Sequence, residues 1–282
     1  MSAARFETLA PHVDRFTPDD RSDRPALGAI HGDRATLLVE GGASAAHLRS
    51  FVDELEARGR PPVEAIVLTH WHWDHSFGSA AVDVPVYAHP DSRAELAVQA
   101  GYDWSDAALD ARVRQGLELQ FCADMIRVEL PDRSDLRIVV PSEAVEVSHA
   151  IDLGGETAIA KHVGGDHAPD SLAVYAVEDR VLFLGDCLYQ KLHAPEEQLT
   201  IAGVRDLLDA LAEFEVAVAV EGHDDDVADA AAYSARIAEL RRAADLVERH
   251  GADALQEAGD DEGLAELVGF LLAGERAAGR SD

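Results

Sequence analysis

The chain has 282 residues, 47% of them hydrophobic, enough to bury a sizeable core without disulfides or a partner. Acidic residues outnumber basic ones 54 to 24, and the formal charge of −30 repels phosphate backbones and anionic membranes. Neither nucleic acid nor membrane is therefore expected as a partner, and Cys122 and Cys187, too few for a disulfide scaffold, read as small buried residues.

In chain order, Met1–Phe16 mixes charged residues with Pro and has no apolar run of the secretory kind. No later stretch approaches the ~20 apolar residues of a membrane span, so the expected location is the cytoplasm. Ala26–Ile30, Ala35–Val39 and Val63–Leu68 read as strands. Between the last two, His47–Arg58 places Leu48, Phe51, Val52 and Leu55 at helical spacing and stops at Gly59. Val84–Ala88 is a further strand.

The chain then changes character. Residues 91–137 read as a mainly helical insertion, with Leu109, Val113, Leu117, Phe121 and Met125 recurring every fourth residue, interrupted at most at Gly116 and finished by Pro131. The simpler expectation is a helix that buries its apolar face on the domain. The sharper one is that it overhangs a pocket, since long insertions in compact domains often serve function.

Strands return at Thr157–Val163, Leu172–Val177, Val181–Leu184 and Val216–Val220, with a helix over Val204–Phe214 before the last. A helical tail, about 225–282, carries Ile237, Leu240, Ala244 and Val247 on one face, stops at Gly251 and resumes around Leu264–Leu272. There is no internal repeat and no low-complexity linker. Two β-rich halves with helices outside predict a layered α/β sandwich in a single domain, 1–282.

Chemistry concentrates in Thr69-His70-Trp71-His72-Trp73-Asp74-His75, directly after a buried strand. A lone histidine is more often a satisfied polar group than a ligand. Three histidines and an aspartate at one strand end repel one another or lose hydration unless a cation neutralises them. Imidazole nitrogen with carboxylate oxygen suits zinc, and also manganese or iron. Further ligand-type residues stand beside glycines after apolar strands, in Gly164-Gly165-Asp166-His167, Gly185-Asp186 and Glu221-Gly222-His223. Strand ends are where open α/β sheets place their sites.

The run His70-x-His72-x-Asp74-His75, followed in order by His167, Asp186 and His223, resembles the metallo-β-lactamase superfamily over roughly Ala26 to His223. That resemblance implies a four-layer αββα sandwich with a helical insertion and a helical C-terminal tail. It also implies two Zn2+ ions, with Mn2+ or Fe possible. His70, His72 and His167 would hold one metal and Asp74, His75 and His223 the other, with Asp186 between them. A metal-bridging hydroxide would then attack an ester-like small molecule such as a lactone or thioester. Asp74 and Tyr189 are the candidate catalytic residues, Tyr189 matching a tyrosine of the lactonase branch that assists a carbonyl oxygen; plain aromatic packing is its simpler reading. The alternative is a mononuclear iron persulfide dioxygenase, which shares the fold and part of the motif, and a phosphodiesterase is the minor alternative.

Departures from the family pattern are Asp170, where many members carry glycine, and Glu40, where aspartate is common. Asp186 in place of a cysteine disfavours a β-lactam substrate. Of Trp71 and Trp73, one is expected to line the pocket and one to wedge the loop against the core. The histidines at 12, 31, 47, 89, 149, 162, 193 and 250 are mostly expected on surfaces or turns, with His162 and His193 close enough to ligand segments to contact substrate or brace ligands.

Overall fold

The structure is a computed structural model that describes residues 4–279. Strands β1 (Phe6–Ala10), β2 (Val13–Phe16), β3 (Leu27–His31) and β4 (Thr36–Val39) form an antiparallel run. After helix α1 (Ala45–Ala57) the chain adds β5 (Val63–Val67) parallel to β4. A one-turn helix α2 (Trp73–Ser76) precedes β6 (Val86–Ala88), and helices α3 (Pro90–Gln99), α4 (Asp106–Arg114) and α5 (Gln120–Glu129) build the insertion. The two-residue β7 (Glu143–Ala144) closes this first sheet, whose strands lie side by side in chain order from β1 to β7.

The second sheet follows as β8 (Ser148–Asp152), β9 (Thr157–His162), β10 (Leu172–Ala176) and β11 (Val181–Gly185), all antiparallel. Helix α6 (Ile201–Leu211) then crosses to β12 (Val218–Glu221), parallel to β11, and β13 (Ala228–Asp229) ends the sheet. Helices α7 (Ala230–His250), α8 (Ala254–Ala258) and α9 (Glu262–Ala278) form the tail.

Side-chain alternation explains why the central strands are apolar without interruption. On β4 and β5, Leu37, Val39 and Val67 face a core shared with the other sheet, while Leu38 and Ile66 face α1 and the insertion. On β10 and β11, Leu172, Val174 and Phe183 enter the shared core, while Ala173, Leu182 and Leu184 face α6, α7 and α9. Three apolar layers therefore separate four layers of secondary structure, the predicted αββα sandwich.

Several boundaries differ from expectation. The insertion is helical but not continuous: Gly116, at φ +69°, ends α4 in a left-handed turn that breaks the four-residue repeat. Leu109 is buried, whereas Leu117 and Phe121 remain 65% and 55% exposed, so the supposed apolar stripe does not lie on one face. Strands β1 and β8 escaped the pattern because they lie at sheet edges, where exposed faces blur the alternation. His31 and His47 are buried, against the expectation of surface or turn positions. His47 accepts the Ala43 N–H through Nδ1, and burial pushes its pKa down to about 3. His31 sets Nε2 3.3 Å from Asp14. Cys187 is buried as expected, while Cys122 is only partly so.

Candidate metal centre

The ligand-type residues lie just beyond the C-terminal ends of β5, β9, β11 and β12, which open on the same edge of the sandwich. Backbone contacts hold those ends together. Leu172 N–H donates to Thr69 O, joining one sheet to the other beside the ligand loop, and Gly222 N–H donates to Gly185 O. A Cβ on Gly222 would stand 2.0 Å from Asp186 Oδ1, so only glycine lets the carboxylate pass.

Two donor groups result. In the first, His70 Nε2 lies 2.9 Å from His72 Nδ1, which lies 3.1 Å from His167 Nε2. In the second, His75 Nε2 is 3.0 Å from Asp74 Oδ2, which is 3.2 Å from His223 Nε2. Asp186 Oδ2 stands 3.3 Å from both His167 Nε2 and His75 Nε2, and 3.5 Å from His223 Nε2, so it touches both groups. Every side chain predicted as a ligand is thus brought together, and Asp186 takes the central place.

These residues fit a pair of divalent cations. Donors bound about 2.0–2.2 Å from a tetrahedral ion sit roughly 3.3–3.6 Å apart, close to the separations here. Burial pushes the pKa values of His70, His72 and His167 down, leaving three neutral rings converging with free lone pairs. Burial opposes charge on His75 too, but Asp74, Asp186 and Glu40 around it raise it well above the usual imidazole range. Protons there compensate the carboxylates in the role a cation would fill. Oδ1 of Asp186 is buried without a hydrogen-bond partner.

Outer contacts orient the rings. Thr69 Oγ1 donates to Glu40 and lies 3.0 Å from His70 Nδ1, while His75 Nδ1 is 3.0 Å from Glu40 Oε1. His167 Nδ1 meets the Gln190 carbonyl at 3.1 Å, and His223 Nδ1 faces Asp23 at 3.7 Å. Each contact leaves the other nitrogen of its ring for metal.

Glu40, a departure in sequence, therefore supports two ligands at once. Asp170, the other departure, accepts from Trp71 N–H at 3.1 Å and Ser92 Oγ at 2.5 Å, tying the ligand loop to α3. Glu40→Gln should weaken metal binding by about 10–100-fold, as loss of an outer partner does, with activity returning at saturating metal. Competition against a chromophoric chelator measures the first effect, and kcat at high metal the second.

Above the centre lies a cavity of about 350 Å³. Its walls include Trp71, Trp73, Tyr189 and, from the insertion, Tyr102, Trp104, Leu117 and Phe121. The insertion therefore shapes the pocket, and the residues that spoiled its helical stripe are the ones facing it. Trp71 and Trp73 both line the cavity, and Trp73 also packs into the core, so the expected division of labour does not hold. His193 lines the pocket, 5.7 Å from His72 between ring centres; His162 braces the ligand loop through Pro169 O at 2.8 Å.

Asp23 was not foreseen. It has φ +56°, a conformation L residues adopt at a cost, and faces both the cavity and His223. Burial, with Asp74 close by, pushes its pKa up to about 6. In sequence it is one of three aspartates in the turn Asp19-Asp20-Arg21-Ser22-Asp23-Arg24, and nothing there links it to residue 223.

The sequence pattern of the metallo-beta-lactamase superfamily matches residues 28–248. The chain belongs to that superfamily. Solved members of this fold superpose on it at low identity. A metallo-beta-lactamase from Pontibacter korlensis is 16% identical, with a TM-score of 0.58 over 84% of this chain and 98% of that one. The stereoselective inverting sec-alkylsulfatase Pisa1 from Pseudomonas sp. is 17% identical, with a TM-score of 0.64 over 90% of this chain and 44% of that one. This chain thus spans less than half of the sulfatase's length. No curated protein matches the sequence. In this superfamily member, among the described residues, no helix is long and apolar enough to cross a membrane.

Proposed function

We propose that this chain is a dinuclear zinc hydrolase of ester-like small molecules, such as lactones, thioesters or other carboxylic esters. The observation that carries the reading is the pair of donor groups meeting at Asp186 beneath one aromatic cavity. When bound, two such ions supply Lewis acidity and lower the pKa of a water enough to make it nucleophilic near neutral pH.

The protein's own groups do the rest. Trp71, Trp73, Trp104 and Phe121 offer rings to an apolar acyl chain, and at about 350 Å³ the cavity suits a small molecule. Asp23, Glu95 and Glu118 outnumber Arg112 on its walls, an acidic balance that counts against nucleic acid phosphodiesters. Tyr189 presents its hydroxyl beside His223, whose backbone N–H donates to it at 3.3 Å. Burial, with Asp186 and Glu221 nearby, pushes that phenol's pKa upward, so the hydroxyl stays protonated and able to donate to the substrate's carbonyl oxygen.

Tyr189→Phe is accordingly expected to lower kcat by about 10–100-fold, the worth of one hydrogen bond to a charged oxygen, with metal content unchanged. An unchanged kcat would reduce Tyr189 to packing. The reading as a whole is tested by metal analysis of the purified protein together with a panel of lactone, thioester, carboxylic ester, sulfate ester, phosphodiester and β-lactam substrates. Two zinc ions per chain with ester turnover are expected. One iron with oxygen consumption would overturn it in favour of an oxygenase.

A further inference from the structure

The far end of the sandwich holds a second convergence of donors, on the turns that precede β9 and β11 rather than those that follow them. We propose that His12, Glu156 and Asp179 form a structural site for a divalent transition cation of the zinc type, separate from the catalytic centre. His12 lies in the turn from β1 to β2, on the first sheet, while Glu156 and Asp179 lie in hairpin turns of the second. An ion held there would bolt the two sheets together at the end where Asp186 and His167 cannot reach.

The donor atoms are already arranged for it. His12 Nδ1 is 3.6 Å from Glu156 Oε2 and 3.4 Å from Asp179 Oδ2, and all three atoms lie within 4.8 Å of one another. Ligand atoms sharing a tetrahedral zinc sit roughly 3.3–3.6 Å apart. The mixture of imidazole with carboxylate favours zinc over calcium, which takes oxygen ligands.

Backbone groups fix the orientation of both acids. Thr157 and Glu178 donate their N–H groups to Glu156 Oε1 at 3.2 and 3.1 Å, turning Oε2 toward His12. His12 N–H donates to Asp179 Oδ2 at 2.6 Å, holding that carboxylate against the turn. The Glu156 side chain is 0% exposed, yet its Oε2 has no hydrogen-bond partner, and neither has the buried His12 Nδ1. Orphaned buried donors of this kind call for an occupant. His12 is 37% exposed, which leaves an entry path and room for water as a fourth ligand.

The competing arrangement is an ion-free cluster held by the hydrogen bonds and ion pairs alone, and metal counting separates the two. Wild type, Glu156→Gln and His12→Ala are dialysed to equilibrium against the same micromolar free zinc, and zinc per chain is read by mass spectrometry. Wild type should hold one zinc more than either variant, with ester hydrolysis equal in all three. Zinc should also raise the Tm of Asp186→Ala but not that of Asp186→Ala/Glu156→Gln. Equal zinc counts in wild type and both single variants would overturn the proposal. Because His12→Ala alters a half-exposed turn, it keeps the test open should Glu156→Gln fold poorly. The difference between wild type and Asp186→Ala measures the catalytic ions separately, so failure at one site is not mistaken for failure at the other.

Discussion

Asp186→Ala should strip the candidate centre of metal and lower the proposed ester hydrolysis by about 10³-fold or more, since losing a single charge-stabilising group already costs on the order of 10²–10³. The reason is positional. Asp186 Oδ2 is within 3.5 Å of nitrogens from His167, His75 and His223, so its removal leaves both donor groups short of charge at once. Without that carboxylate, buried imidazoles would face cations with less to neutralise them. Asp74→Ala and His167→Ala each empty one group and should lose metal and turnover together. Zinc stoichiometry and kcat/KM on the same samples provide the check: near-normal turnover by metal-depleted Asp186→Ala would sink the mechanism.

Phe183→Ala should lower the stability of the fold by about 3–5 kcal/mol. For a chain of this size that is a fall in Tm on the order of 10 °C. Phe183 is 3% exposed and sits in the core between the sheets. Its ring lies so close to Gly28 of β3 that a Cβ there would approach it to 2.5 Å. The ring is thus a spacer pressed against bare backbone of the facing sheet, and alanine leaves a void that backbone cannot fill. Phe183 is also two residues before Gly185, whose φ of +51° turns the chain toward Asp186. Metal affinity should therefore fall along with Tm. Thermal melts with and without chelator separate the two contributions: a Tm change under about 1 kcal/mol equivalent would contradict the packing account.

How legible each part was in sequence follows from the range over which its cause acts. The central strands announced themselves because both of their faces are buried, so β10, β11 and the segments Leu37–Val39 of β4 and Ala65–Val67 of β5 are continuous apolar runs. Strand β8, with three consecutive exposed residues, carried no such mark. The insertion was correctly helical, but its register misled, because a four-residue repeat drifts around a helix of 3.6 residues per turn and Gly116 then resets it. Leu117 and Phe121 looked like core and instead face the cavity. Glu40 looked like a substitution of uncertain consequence, until folding set it against Thr69 and His75.

By itself, the sequence determined the ligand types, their order and the sheets that would carry them, since hydrophobic period and local clustering are properties of neighbouring residues. Only the tertiary structure decided that Asp23 backs His223, which side chains of the insertion roof the cavity, and that His12 meets Glu156 and Asp179. Those are contacts between segments distant in the chain. They arise from how two sheets pack across a shared core, which places strand ends side by side without leaving a local trace in any one of them.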